Sequence, residues 1–122
     1  MRRLRARVRE VPGAALLPPV SPEGVPALLG ESDVLVFPST WEENSPLVLR
    51  EAAAAGLRIV ASDVPGVTEV LGAASRPAPG SVEAFTAALA GEVRRGRART
   101  EPRAFPDMAT HAGRVVAVYR SL

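Results

Sequence analysis

Apolar positions along the chain follow two alternating rhythms. Leu4, Val8 and Val11 fall at helical spacing with arginines between them, so residues 2–10 read as a short amphipathic helix. Pro12-Gly13 breaks it. Ala14–Leu17 is a short apolar run that predicts a strand, closed by Pro18-Pro19. Ser21-Pro22-Glu23 is a helix start, with a cap, a proline at the first helical position and an early acid, and the helix is expected to reach about Gly30. Asp33–Phe37 is a continuous apolar run, as in a parallel strand covered on both faces. Ser45 is the expected cap of a helix beginning at Pro46 and stopping at Gly56. Arg58–Ala61 reads as the next strand, Ser62–Gly66 as a loop, Val67–Leu71 as a short helix and Ala74–Ala78 as a last strand. Pro79-Gly80-Ser81 leads into a helix whose apolar face is Val82, Phe85, Leu89 and Val93. Residues 94–106 read as polar and irregular. A closing helix carries Met108, Ala112, Val115, Tyr119 and Leu122 at spacings of four and three.

Strands alternating with helices predict an α/β fold, a Rossmann-like parallel sheet with helices on both faces and right-handed crossovers. The 122 residues fit one domain, 1–122. Four strands are few for a complete doubly wound domain, so a truncated one is expected.

Composition narrows the chemistry. A hydrophobic fraction of 47% allows a real core. There is no cysteine, hence no disulfide framework and no thiolate metal site, and His111 is the single histidine. No apolar run approaches the roughly 18–20 residues that span a membrane, and no signal-peptide pattern opens the chain. A soluble cytoplasmic protein is the expectation. The net charge is only +2, and all 15 basic residues are arginine, which reads as the coding bias of a GC-rich genome. Two arginine clusters stand out, residues 2–9 and 94–103. They read either as a patch for nucleic acid or acidic membrane, or as solvated faces. No aromatic residues interleave with them to stack bases, so no nucleic-acid partner is expected.

The segment from Phe37 to Gly56 holds the densest chemistry: an apolar strand, a polar loop, then a helix with start and stop signals. Ligands of open α/β sheets sit beyond the carboxyl ends of the strands, where the loop Pro38–Ser45 falls. The helix that follows offers free N–H groups and a positive dipole end, which favour phosphate. Pro46 has no donor, and the N–H groups of Leu47 and Val48 are candidates for a diphosphate. Glu51 lies five residues past Pro46, about 7–8 Å along a helix axis, which is close to one ribose length. Its carboxylate can accept two hydroxyls of a diol. Glu43 lies in the loop, where it could accept hydroxyls of a transferred sugar. Both acids read equally as surface carboxylates near a helix start. Ser39 and Thr40 are hydroxyl partners or turn formers. Trp41 flanks a sugar or plugs the sheet edge. Glu69 supports the neighbouring loop or is a helix-start acid, and His111 reads as structural or exposed.

The run Val34–Leu71 resembles the donor-side core of GT-B glycosyltransferases of family 4. That family shows a strand, Pro-Ser, Glu-(Gly or Asn)-x-Pro and Glu-Ala-x-Ala-x-Gly, with two glutamates in a Glu-x7-Glu motif. Glu43 and Glu51 have this spacing and Glu42 does not. Leu16–Ser21, Ser32-Asp33-Val34 and the closing helix with Tyr119 also resemble the family. The resemblance implies a partial C-terminal domain of a GT-B fold that binds a nucleotide-diphosphate sugar for transfer with retention of configuration. Glu43 would contact the donor sugar and be the catalytic carboxylate. Glu51 would hold the ribose, and Asn44, Ser45, Pro46 and Leu47 would form the backbone cradle for sugar and phosphate. Val20 would lie near the base. Members use no metal or other cofactor, and Asp33, Asp63 and Asp107 make no Asp-x-Asp pair.

The implied partners are a nucleotide sugar and an N-terminal acceptor domain, in this chain or a separate one, with peripheral membrane association of the full enzyme. The chain departs from the family at Pro18, where glycine is common, at Arg58, where proline is common, and at Ala73–Pro79, which lacks a glycine-rich strand. The Arg and Lys that neutralise the diphosphate in the family precede the resembling region and have no counterpart here. The chain alone is therefore expected not to turn over. The alternative reading is a non-catalytic module that assembles with a chain supplying the N-terminal half.

Overall fold

A computed structural model describes residues 2–72 and 76–121. Helix α1 is Arg2–Glu10, a 3-10 turn at Pro22–Gly24 leads into α2, Val25–Glu31, and strand β1 is Val34–Phe37. Helix α3, Leu47–Ala54, returns to β2, Arg58–Ala61, and α4 is Pro65–Leu71. Helices α5, Val82–Arg94, and α6, Met108–Arg120, follow.

The two strands pair in parallel, with Val34 opposite Arg58 and Phe37 opposite Ala61. Strand side chains alternate between faces. Leu35, Phe37, Ile59 and Ala61 pack against α2, α3 and α4 through Leu29, Leu49, Ala52, Val67 and Val70. On the other face α5 packs on β2, where Arg58 reaches Glu92, while Val36 of β1 lines an open cavity with Phe85 and Leu89. Helices thus lie on both faces of a small parallel sheet, and β1 is left partly open on the α5 side.

Three expectations are corrected. Ala14–Leu17 is no strand: it is exposed and outside the sheet, and the prolines that follow have no N–H to give a ladder. The strand expected at Ala74–Ala78 lies partly outside the described residues, and 76–78 are not strand. The sheet among the described residues therefore has two strands rather than four. Helix α4 begins at Pro65, two residues before the expected start, because Pro at the first helical position has no N–H to leave unsatisfied. Helix α6 forms with Asp107 as its cap: the Thr110 N–H donates to the carboxylate at 2.7 Å, and that amide with the Thr110 hydroxyl holds the carboxyl below the usual range. Its apolar side chains, Met108 and Tyr119 among them, stay exposed.

The second arginine cluster has a structural task. The last carbonyls of a helix lack intrahelical donors, and cations near them also complement the dipole. Arg99 donates to Gly30 and Ser32 at the end of α2 and to Ala55 at the end of α3. Arg103 donates to Val70 of α4, and its N–H to Ala53 of α3. Arg58, buried at the start of β2, donates to Glu92 and Gly96 at the end of α5. Arg76 donates to Gly72 after α4. The segment 97–106 therefore binds the carboxyl ends of α2, α3 and α4 at the amino edge of the sheet, and Arg58 binds that of α5. The segment approaches so closely that a Cβ on Gly56 would stand 2.7 Å from the Thr100 carbonyl oxygen, and Gly56 also has φ 70°.

Arg58→Ala removes the buried charged donor shared by the Glu92 and Gly96 carbonyls and by the Glu92 carboxylate, which keeps only Arg95. It is expected to cost about 2–4 kcal/mol of unfolding free energy in urea denaturation.

Candidate functional site

The carboxyl edge of the sheet holds the opposite ends of the helices. Strand β1 ends at Phe37, the loop 38–46 follows, and α3 starts at Leu47. Strand β2 ends at Ala61, and α4 starts four residues later. Helix α5 begins beside the same loop: its cap Ser81 and Gly80 lie near Pro38 and Thr40.

Within the loop, Glu43 is half-buried, and the Ser39 hydroxyl donates to its carboxylate. Asn44 is exposed. Ser45 does not cap α3, contrary to expectation. Its φ is 53°, and Arg50 donates to its hydroxyl from Nε at 3.1 Å and Nη2 at 2.7 Å. The cap position falls to Pro46, which has no side-chain acceptor. The N–H groups of Leu47 and Val48 consequently find no acceptor among the described residues. Leu49 is fully buried and orients α3, which leaves Leu47 and Glu51 on its outer face, one turn apart.

A close approach fixes the loop against α4. A Cβ added at Gly66 would overlap the carbonyl oxygen and carbon of Glu43 and stand 3.0 Å from the Ser45 nitrogen. The first turn of α4 and the Glu43–Ser45 backbone are thus in direct contact. The structure brings together Glu43, Asn44, Ser45, Pro46, Leu47 and Val48 at the start of α3, with Glu51 one turn further along.

Val20 is not brought into this group. It is exposed, its side chain approaches Gly24, and among the described residues it shares no hydrogen bond or buried cluster with the loop. Trp41 is 80% exposed, so it plugs no sheet edge; its N–H donates to the Ser39 hydroxyl. Glu69 and His111 are exposed. A cavity of about 260 Å³ opens between Pro38 and α5, but its lining of Val36, Val82, Phe85 and Leu89 includes neither acid. Among the described residues no three His, Cys, Asp or Glu side chains gather as metal ligands, and no helix is long and apolar enough to cross a membrane.

Gly66 and Arg50 escaped the sequence reading. Pro65-Gly66 was legible only as a turn, although a glycine beside a helix start is also a place where another backbone can approach. Arg50 carries no such signal, because its partner depends on the unusual φ of Ser45.

Because Gly66 has no positive φ, its constraint is steric. Gly66→Ala is expected to lower stability by about 1–3 kcal/mol and speed amide exchange in 42–46. Gly91→Ala, in an open stretch of α5, is expected to stabilise by up to about 1 kcal/mol.

No curated protein and no solved structure matches this chain. The sequence model of the family described as glycosyl transferases group 1 matches residues 1–93. That match covers most of the chain, including β1, β2 and the loop between β1 and α3, and the chain belongs to the group 1 glycosyltransferase family.

Proposed function

We propose that the chain is the donor-binding part of a glycosyltransferase, the C-terminal portion of a GT-B enzyme. It binds a nucleotide-diphosphate sugar at the carboxyl edge of the sheet for retaining transfer to an acceptor. The diphosphate lies against the free N–H groups of Leu47 and Val48, where the helix end favours negative charge. Asn44, Ser45 and Pro46 shape the cradle. Glu51, exposed one turn along α3, grips the ribose diol, while Glu43 accepts hydroxyls of the donor sugar and is the carboxylate at the reacting end. Val20, outside the group at the start of α3, is the residue proposed for the base. No metal enters this scheme, because helix-end amides take the place of a cation beside the phosphates.

The observation that carries the reading is the start of α3. Two N–H groups there lack an acceptor among the described residues, Ser45 is withdrawn from the cap position by Arg50, and Glu43 is pinned beside them through Gly66. In a family defined by glycosyl transfer, this is the feature best suited to an anionic donor.

The exposed apolar side chains of α1 and α6, including Leu4, Met108, Val118 and Tyr119, favour the second reading, a non-catalytic binding or assembly module that pairs with a separate chain supplying the N-terminal half. In the first reading, transfer requires an acceptor domain closing over the donor.

Calorimetry with UDP, GDP and ADP sugars is expected to show binding of at least one, weakened by about 1.5–3 kcal/mol in Glu51→Ala through loss of the charged hydrogen bonds to the diol. Equal affinity of the variant would remove Glu51 from the site. Incubated with such donors and acceptor sugars, the 122-residue chain is expected to form no glycoside, and product formation would show that it needs no second domain.

A further inference from the structure

Ser45 is the one non-glycine residue with a positive φ among the described residues, at 53°. A side chain in this left-handed region crowds the following carbonyl, and such a conformation persists only where the surroundings hold it. Arg50 provides that hold. Its Nε and Nη2 both donate to the Ser45 hydroxyl, at 3.1 and 2.7 Å, so the direction of the serine side chain is fixed by two donors of one rigid plane.

The guanidinium is in turn seated. It lies 5.4 Å from the centroid of the Phe105 ring, and Arg103 lies 5.5 Å from the same ring. Phe105 packs against the buried cluster of Leu49, Val64 and Val67, and the neighbouring Arg103 is bound to the carbonyls of Ala53 and Val70. A continuous set of contacts therefore runs from segment 97–106 through Phe105 and Arg50 to Ser45.

We infer that Arg50, seated on Phe105, is a positioning residue that keeps Ser45 left-handed and so sets the Glu43–Pro46 loop for the donor. Its bearing on the donor rests on the nucleotide-sugar reading; its bearing on the loop does not. The hold on Ser45 also keeps its hydroxyl off the α3 amides, which leaves them open to phosphate. Lysine at this position offers a single point of contact and does not replace it.

The test separates position from mere stability. Amide exchange on the full chain is followed for wild type, Arg50→Ala, Phe105→Leu and the double variant Arg50→Ala/Ser45→Gly. Arg50→Ala and Phe105→Leu are expected to speed exchange in residues 42–48 while β1 and β2 stay protected. The double variant is expected to return toward wild type, because glycine adopts positive φ without a clash and no longer needs the hold. Calorimetry with UDP-glucose, GDP-mannose and ADP-glucose adds a second reading: affinity for a donor that binds wild type is expected to fall roughly tenfold in Arg50→Ala and to recover in the double variant. Unchanged exchange in 42–48 in both single variants, or a double variant no closer to wild type than Arg50→Ala, would overturn the inference. If none of the three sugars binds wild type, the donor reading fails and the exchange rates alone decide the role of Arg50. If Arg50→Ala fails to fold, Phe105→Leu and the double variant carry the same comparison.

Discussion

Helices end with carbonyls that need donors, and in this chain arginines supply them. Arg58, Arg76, Arg99 and Arg103 reach the carboxyl ends of α2, α3, α4 and α5, all at the amino edge of the sheet. These are bonds between charged donors and carbonyls, worth more than neutral ones. They hold together a sheet of only two strands, and they draw segment 97–106 across the helices as a tie. A two-strand sheet is at best marginal without a packed helix layer, and the tie keeps that layer in place.

The same polarity leaves the helix starts at the opposite edge. There the described residues form no comparable closure. Pro46 has no side-chain acceptor, Ser45 is turned away, and the loop is held instead by a backbone contact at Gly66 and by Arg50. One edge is closed by cations on carbonyls, and the other presents amides. By this division the anion site proposed for a chain with 15 arginines and little net charge uses no arginine directly.

Much of this was legible in the sequence where the signal was local. The apolar spacing of Val82–Val93 and Met108–Tyr119 became α5 and α6. The apolar runs at Val34–Phe37 and Arg58–Ala61 became paired strands. Local signals failed where a distant partner decided the outcome. Ala14–Leu17 has the composition of a strand, but a strand exists only with a neighbour. Ser45 has the composition of a cap, but Arg50 competes for its hydroxyl. The arginines near residue 100 looked like a patch or a solvated face; their carbonyl partners lie as far as 69 residues away in the chain, which no spacing rule conveys. Gly66 reads as a turn glycine until Glu43 is seen against it. In the candidate site, the Glu43–Glu51 spacing was visible, whereas the contacts that hold the first of these acids in place were not.

On the proposed reading an anionic donor chooses the amide edge over the arginine edge. A titration of the isotope-labelled chain with a nucleotide-diphosphate sugar, followed by amide chemical shifts, tests it directly. The account predicts the largest perturbations at Asn44, Ser45, Leu47, Val48 and Gly66, with residues 97–106 little changed. Perturbations concentrated on 97–106 or on the arginines of α1, with the loop silent, would contradict it.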